Sequence, residues 1–127
     1  IEGEAGFRAR ESQTIQELTG LDDVVLATGG GAVLDPLSRQ RLAAHGFVIY
    51  LRAKPRDLWM RTRHDKARPL LRTADPLRRL EELYELRDPL YREVADLVMD
   101  TGKQRVGMLV AELVERLPDQ IKTWDSL

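Results

Sequence analysis

Two arginines and a glutamate stand where helices of this chain would otherwise be apolar. In the first helical stretch Phe7, Ile15 and Leu18 mark an inward stripe. At about 100° per residue Glu11 falls inside that stripe, and Arg8, three residues earlier, lies on its flank within reach of it. In the stretch beginning at Pro76, Leu77, Leu80, Leu83 and Tyr84 define an apolar face, with Arg87 near its centre. A charge aimed at a core is costly unless it is paired or the core is a ligand site. Either arginine read singly is a side chain snorkelling past an apolar edge, or half of a buried ion pair. Read together with a naked glycine triplet, Gly29, Gly30 and Gly31, at the end of "LATGGGAV", they point to a pocket for an anionic, hydroxylated ligand.

The triplet offers a flat, side-chain-free surface with accessible amides at the carboxyl end of an apolar run, where parallel sheets bind ligands. It is not a phosphate loop by itself, because no G-x-x-x-x-G-K-[ST] arrangement supplies a lysine for phosphates or a hydroxyl for magnesium. Nor does it have the G-x-G-x-x-G spacing of a dinucleotide fingerprint. A second basic feature follows at residues 63–75, "RHDKARPLLRTAD". Arg61, Arg63, Lys66, Arg68 and Arg72 crowd this region, and Pro69 stiffens the backbone beside Arg68. A polar connection of that length between helices is usually a functional lid or a disordered segment; here it has the charge to fold over phosphates.

Composition narrows the alternatives. The 127 residues, 43% of them hydrophobic, fit one packed domain. With 20 Lys and Arg against 21 Asp and Glu, the net charge of −1 argues against a nucleic-acid or anionic-membrane binder. The positive charge is overwhelmingly arginine, whose planar fork suits carboxylates and phosphates. Cysteine is absent, so there is no disulfide, thiolate metal site or thiol nucleophile, and a reducing compartment fits. No apolar run reaches the roughly 20 residues of a membrane span.

The elements that must position these residues alternate as βα units of a parallel sheet do. Strands are expected at Val24–Ala27, Phe47–Leu51 and Leu97–Thr101, their near-continuous apolar character suiting a sheet covered on both faces. Helix starts are expected where Asp35, Lys54, Asp75 and Asp88 precede Pro36, Pro55, Pro76 and Pro89. Gly46 fits a stop for the helix from Pro36. The helix Val106–Leu117 carries Val106, Leu109, Val110, Leu113, Val114 and Leu117 on one face.

"GEAGFRARE" (Gly3 to Glu11), "LATGGGAV" (Leu26 to Val33), "ARPLL" (Ala67 to Leu71) and "RDPLYREVAD" (Arg87 to Asp96), in this order and at these separations, resemble the shikimate kinase family. The resemblance covers residues 1–118 as a partial kinase domain and leaves 119–127 as a tail. It implies an α/β, P-loop NTPase-like fold of the nucleoside monophosphate kinase type, a parallel sheet with flanking helices. It further implies transfer of the ATP γ-phosphate to the 3-hydroxyl of shikimate, with ATP and Mg²⁺ required, in a cytoplasmic monomer that binds neither nucleic acid nor membrane. By the same resemblance Arg8 and Arg87 grip the shikimate carboxylate, and Glu11 orients arginine side chains. Gly29, Gly30 and Gly31 lie against the shikimate ring and its hydroxyls. Arg68 is the catalytic lid arginine over the phosphates, Arg61 stacks on adenine, and Gln104 aligns with a basic residue beside the adenine. In "TGKQR" that last task is open to Lys103, Gln104 or Arg105.

The family's P-loop, with its lysine and magnesium-binding hydroxyl, and the aspartate on the next strand have no match in these residues, and no metal ligand is expected here. Because the chain opens without Met in mid-pattern, it is expected to be a C-terminal portion whose amino-terminal βα units are missing. By the same resemblance the P-loop strand would lie between the strands of Val24 and Phe47, so the expectation is a chain that is inactive, and lacks a stable fold, unless an upstream segment is supplied; shikimate-dependent ADP release by the purified chain would overturn it. Two other readings remain open: a relic that binds shikimate only, and another small-molecule P-loop kinase such as a gluconate kinase type.

Overall fold

A computed structural model describes residues 3–64, 74–102 and 104–122. Helix α1, Gly3–Thr19, leads through an irregular stretch to a 3-10 turn, Gly30–Leu34, and then to α2, Pro36–His45. Strand β1, Ile49–Arg52, is followed by α3, Pro55–Thr62, and α4, Pro76–Val94. Strand β2, Leu97–Asp100, is followed by α5, Val106–Arg116, and a short α6, Asp119–Lys122. Among the described residues no helix is long and apolar enough to cross a membrane.

The strands pair in parallel, Ile49 opposite Leu97 through Arg52 opposite Asp100. Side chains fasten both ends of this short ladder. At the start, the Asp96 carboxylate accepts the Val48 amide at 2.7 Å, while the Val48 carbonyl accepts the amides of Asp96 and Leu97. At the far end the Thr101 amide and hydroxyl both donate to the Arg52 carbonyl, and the Arg52 guanidinium forks onto Asp100 at 2.6 and 3.2 Å. Parallel strands require a crossover, and the crossover here carries α3 and α4.

The proline-marked starts at 36, 55 and 76 are realised. Asp35 accepts the Leu37 amide and the Ser38 hydroxyl, and Asp75 accepts the Arg78 amide; each satisfies a donor that the first helical turn leaves open. Lys54 precedes Pro55 without a side-chain cap, because its ammonium has no acceptor to offer. Gly46 follows α2 in an extended conformation, φ −156°, rather than the left-handed one.

Three expectations need correction. The pair Asp88 and Pro89 does not start a helix; it lies inside α4. Pro89 removes one helical donor, yet Asp88 is buried and held on both sides, by the Tyr50 hydroxyl at 2.8 Å and by Arg92 at 3.0 Å. The carboxylate that would cap a new helix at Pro89 is thereby taken up. Secondly, Val24–Ala27 forms no strand: residues 24–29 carry no regular secondary structure and make no ladder among the described residues, and Val25 is 97% exposed. A strand exists only where a neighbour accepts its backbone groups, and apolar character does not supply one. Thirdly, the apolar face read on the last helix is largely uncovered, with Val106, Val110 and Val114 exposed and only Leu109, Leu113 and Leu117 half-buried.

The core is built from Ile15 of α1, Ala32 and Val33 of the 3-10 turn, Leu80, Leu83 and Val94 of α4, and Met99 of β2. Phe7, assigned to the inward stripe of α1, is mostly exposed. The glycine loop therefore leads directly into the best-buried part of the molecule, with α1, α2 and α4 packed around it.

Candidate functional site

The residues singled out for an anionic pocket converge on the glycine triplet from two helices. On α1, Arg8 Nη1 donates to Glu11 Oε1 at 2.7 Å, with the Glu11 side chain only 15% exposed. The i, i+3 spacing makes this contact available as soon as the helix forms. The carboxylate thus fixes the guanidinium and offsets its charge, while its other oxygen faces Gly29, 3.6 Å from where a Cβ would sit. A Cβ on Gly31 would overlap the Arg8 guanidinium, and one on Gly30 would lie 3.1 Å from Arg87 Nη1 and 3.0 Å from the Tyr91 hydroxyl. The triplet is therefore glycine for space: two arginines reach across adjacent residues that have no side chains.

Both arginines carry an unspent donor. Among the described residues the Nε atoms of Arg8 and Arg87 are buried side-chain nitrogens with no hydrogen-bond partner; Glu4 approaches Arg8 Nε only to 3.9 Å. A buried donor without an acceptor costs about 1 to 3 kcal/mol. Two of them beside one bare loop mark a place where an acceptor is wanted, and a carboxylate matches a guanidinium fork.

The scaffold behind the loop is tied as firmly. The Ser12 hydroxyl hydrogen-bonds Asp35, the leading reason that the Asp35 carboxyl lies below the ordinary aspartate range. That bond joins the helix bearing Arg8 to the cap of α2. Arg41 donates to the Ser12 carbonyl at 3.5 Å, and Arg39 of α2 donates to the Val33 carbonyl and pairs with Glu93 of α4 at 3.0 Å. Across the loop, the Tyr91 hydroxyl donates to the Gly30 carbonyl at 2.5 Å. Burial pushes the Tyr91 phenol up, opposed by the positive charge and hydrogen bond of Arg87.

Arg8, Glu11, Gly29, Gly30, Gly31 and Arg87 are thus brought together. Arg61 lies elsewhere, exposed in the last turn of α3. Gln104, in the connection from β2 to α5, turns its side-chain oxygen back to accept the Gly102 amide at 2.8 Å, a loop-closing role that its sequence position did not announce. Arg105 is exposed at the start of α5. Arg68 and Lys103 lie outside the described residues, as do Lys66 and Arg72. Tyr91 was not singled out in the sequence, although it follows Arg87 by four residues and continues the stripe of Leu80, Leu83, Tyr84 and Arg87, a legible signal. Among the described residues no group of three or more His, Asp and Glu side chains could hold a metal ion.

A family model described as shikimate kinase matches residues 1–118. The chain belongs to the shikimate kinase family. The shikimate kinase of Burkholderia lata is 60% identical over 117 residues, which are 92% of this chain and 64% of that protein. The shikimate kinase of Ralstonia nicotianae is 60% identical over 116 residues, 91% of this chain and 61% of its own length. The chain thus spans a little under two thirds of these curated shikimate kinases. Among solved structures, the Acinetobacter baumannii shikimate kinase in complex with shikimate superposes with a TM-score of 0.77 at 40% identity, covering 93% of this chain and 69% of that one. The Bacteroides thetaiotaomicron shikimate kinase superposes with a TM-score of 0.79 at 26% identity, covering 96% and 71%. The parallel pair with its flanking helices is accordingly part of the P-loop NTPase-like kinase fold of the shikimate kinase family.

Proposed function

We propose that this chain supplies the acceptor side of a kinase that moves the γ-phosphate of ATP onto the 3-hydroxyl of shikimate. The observation that carries the reading is the pair of buried, unspent Nε donors of Arg8 and Arg87 over a bed of glycines. In this reading the two guanidinium groups take the shikimate carboxylate from two helices, and Glu11 fixes the aim of Arg8. The shikimate ring lies on Gly29, Gly30 and Gly31. The complex of the Acinetobacter baumannii relative with shikimate supports the choice of ligand.

Phosphoryl transfer asks a protein mainly for positioning and charge stabilisation. A carboxylate gripped from two sides fixes the ring, so a single hydroxyl is presented for attack. By the family pattern Arg68 closes over the phosphates and neutralises developing charge, while Arg61 and Gln104 meet the adenine. We extend the reading to the chain as it stands: its 127 residues bind shikimate without turning it over, because no G-x-x-x-x-G-K-[ST] motif occurs among them.

The test is calorimetric titration of the chain with shikimate. Arg8→Ala and Arg87→Ala each weaken binding by about 1.5 to 3 kcal/mol, the scale of a hydrogen bond to a charged group. Unchanged affinity in both variants overturns the pocket. A shikimate-dependent release of ADP by the unmodified chain overturns the statement about turnover and leaves the pocket intact.

A further inference from the structure

One polar chain in the molecule is not absorbed by the carboxylate grip. It starts at Asp88, a buried acid in the middle of α4. Asp88 accepts the Tyr50 hydroxyl at 2.8 Å and pairs with Arg92 at 3.0 Å. The ring of Tyr50, on β1, packs against that of Tyr91, with centroids 4.7 Å apart and planes inclined at 41°. Tyr91 then donates its hydroxyl proton to the Gly30 carbonyl at 2.5 Å.

A phenol has one proton to give. Tyr91 spends it on the Gly30 carbonyl, so only its oxygen lone pairs are left to face the guanidinium of Arg87, one helical turn away. The Tyr91 hydroxyl and Arg87 Nη1 thus meet the same loop residue side by side. Gly30 has no side chain to resist sliding, and a Cβ there would meet the Tyr91 hydroxyl and Arg87 Nη1 at 3.0 and 3.1 Å. The separation of loop and arginine is therefore set by Tyr91, whose ring is held in turn by Tyr50.

We infer that Tyr91 is a positioning residue, a latch that holds the Gly30 backbone at a fixed distance from Arg87 and so sets the width of the anion pocket. This rests on the shikimate reading for the identity of the ligand, though not for the latch itself. Tyr50 braces the ring of Tyr91, while its own hydroxyl serves Asp88 and the fold.

The experiment compares the full 127-residue chain with its Tyr91→Phe and Tyr50→Phe variants, by backbone amide NMR of Gly30, Gly31 and Ala32 and by titration with shikimate. Tyr91→Phe keeps the ring contact and removes only the hydroxyl. Its loop amides shift and exchange faster, and shikimate binding weakens about five- to tenfold, the scale of one hydrogen bond. Tyr50→Phe lowers the unfolding temperature yet leaves the loop amides in place and the affinity within twofold. Loop amides unmoved by Tyr91→Phe overturn the latch, as does an affinity within twofold of the parent's. A Tyr91→Phe chain that fails to fold where Tyr50→Phe folds overturns it in favour of a structural role. If the parent binds no shikimate while the loop amides still respond, the latch stands and the shikimate reading falls.

Discussion

Residues 24–28 and 31–33 are neighbours in sequence, similar in apolar content and opposite in environment. Val25 is 97% exposed, whereas Ala32 and Val33 are 1% and 5% exposed. The difference lies in what surrounds them. The 3-10 turn packs against α1, α2 and α4, while the irregular stretch before it has no paired strand among the described residues. Helix α5 repeats the lesson: a well-formed apolar stripe does not bury itself. Hydrophobic burial contributes roughly 25 cal/mol per Å² removed from water, and only where another element removes it.

The contrast is easiest to break at its most buried point. Met99, with no exposed surface, is expected to cost about 2 to 5 kcal/mol as Met99→Ala through lost contacts and a residual cavity, read by denaturant unfolding. A cost below that range would show the packed half to be as loose as the uncovered one. Next comes Gly31→Ala, whose new methyl takes the space of the Arg8 guanidinium. Shikimate affinity is expected to drop about tenfold or more, since losing a charge-assisted contact exceeds 1.4 kcal/mol, whereas Gly29→Ala meets only an ordinary 3.6 Å contact and changes little.

Asp35→Ala is smaller, about 1 kcal/mol for a lost helix cap. Because hydrogen bonds from Ser12, Leu37 and Ser38 hold the Asp35 carboxyl below 3.8, its stabilisation is complete above that pH. It fades as pH falls through the lower, folded value. Thermal melts of parent and variant therefore differ at neutral pH and converge in strong acid; a gap that stays constant with pH would remove the carboxylate from the account. The smallest effect belongs to the uncovered stretch, where Val25→Ser changes unfolding free energy by about 0.5 kcal/mol at most. A larger loss would show that Val25 is covered in solution.

Much of the site was legible because its signals are local. Arg8 and Glu11 are one helical turn apart, so their pairing is implied by helix geometry, and Arg87 sits on a stripe whose period shows its direction. The caps at Asp35 and Asp75 follow from an acid before a proline. Asp88 has the same local signature and a different outcome, because Tyr50, 38 positions away in sequence, claims its carboxylate. Gln104 is placed by motif order alone, and the hydrogen bond its side-chain oxygen accepts from the Gly102 amide was not legible in the sequence. Tyr91 drew no attention, since a tyrosine on an apolar stripe reads as core until its hydroxyl is seen to end on the Gly30 carbonyl.

By itself the sequence determined the family, the two parallel strands, the three proline-started helices and the convergence of charge on a glycine loop. These depend on periodicity, caps and motif order, which act over a few residues or survive as pattern. Only the tertiary structure decided that α4 runs unbroken through Pro89, that Val24–Ala27 joins no ladder among the described residues, and that the Tyr91 hydroxyl ends on the Gly30 carbonyl. Each of those turns on which distant groups arrive to accept or donate a hydrogen bond, and a strand ladder or a buried carboxylate has no stable form until its partner is in place.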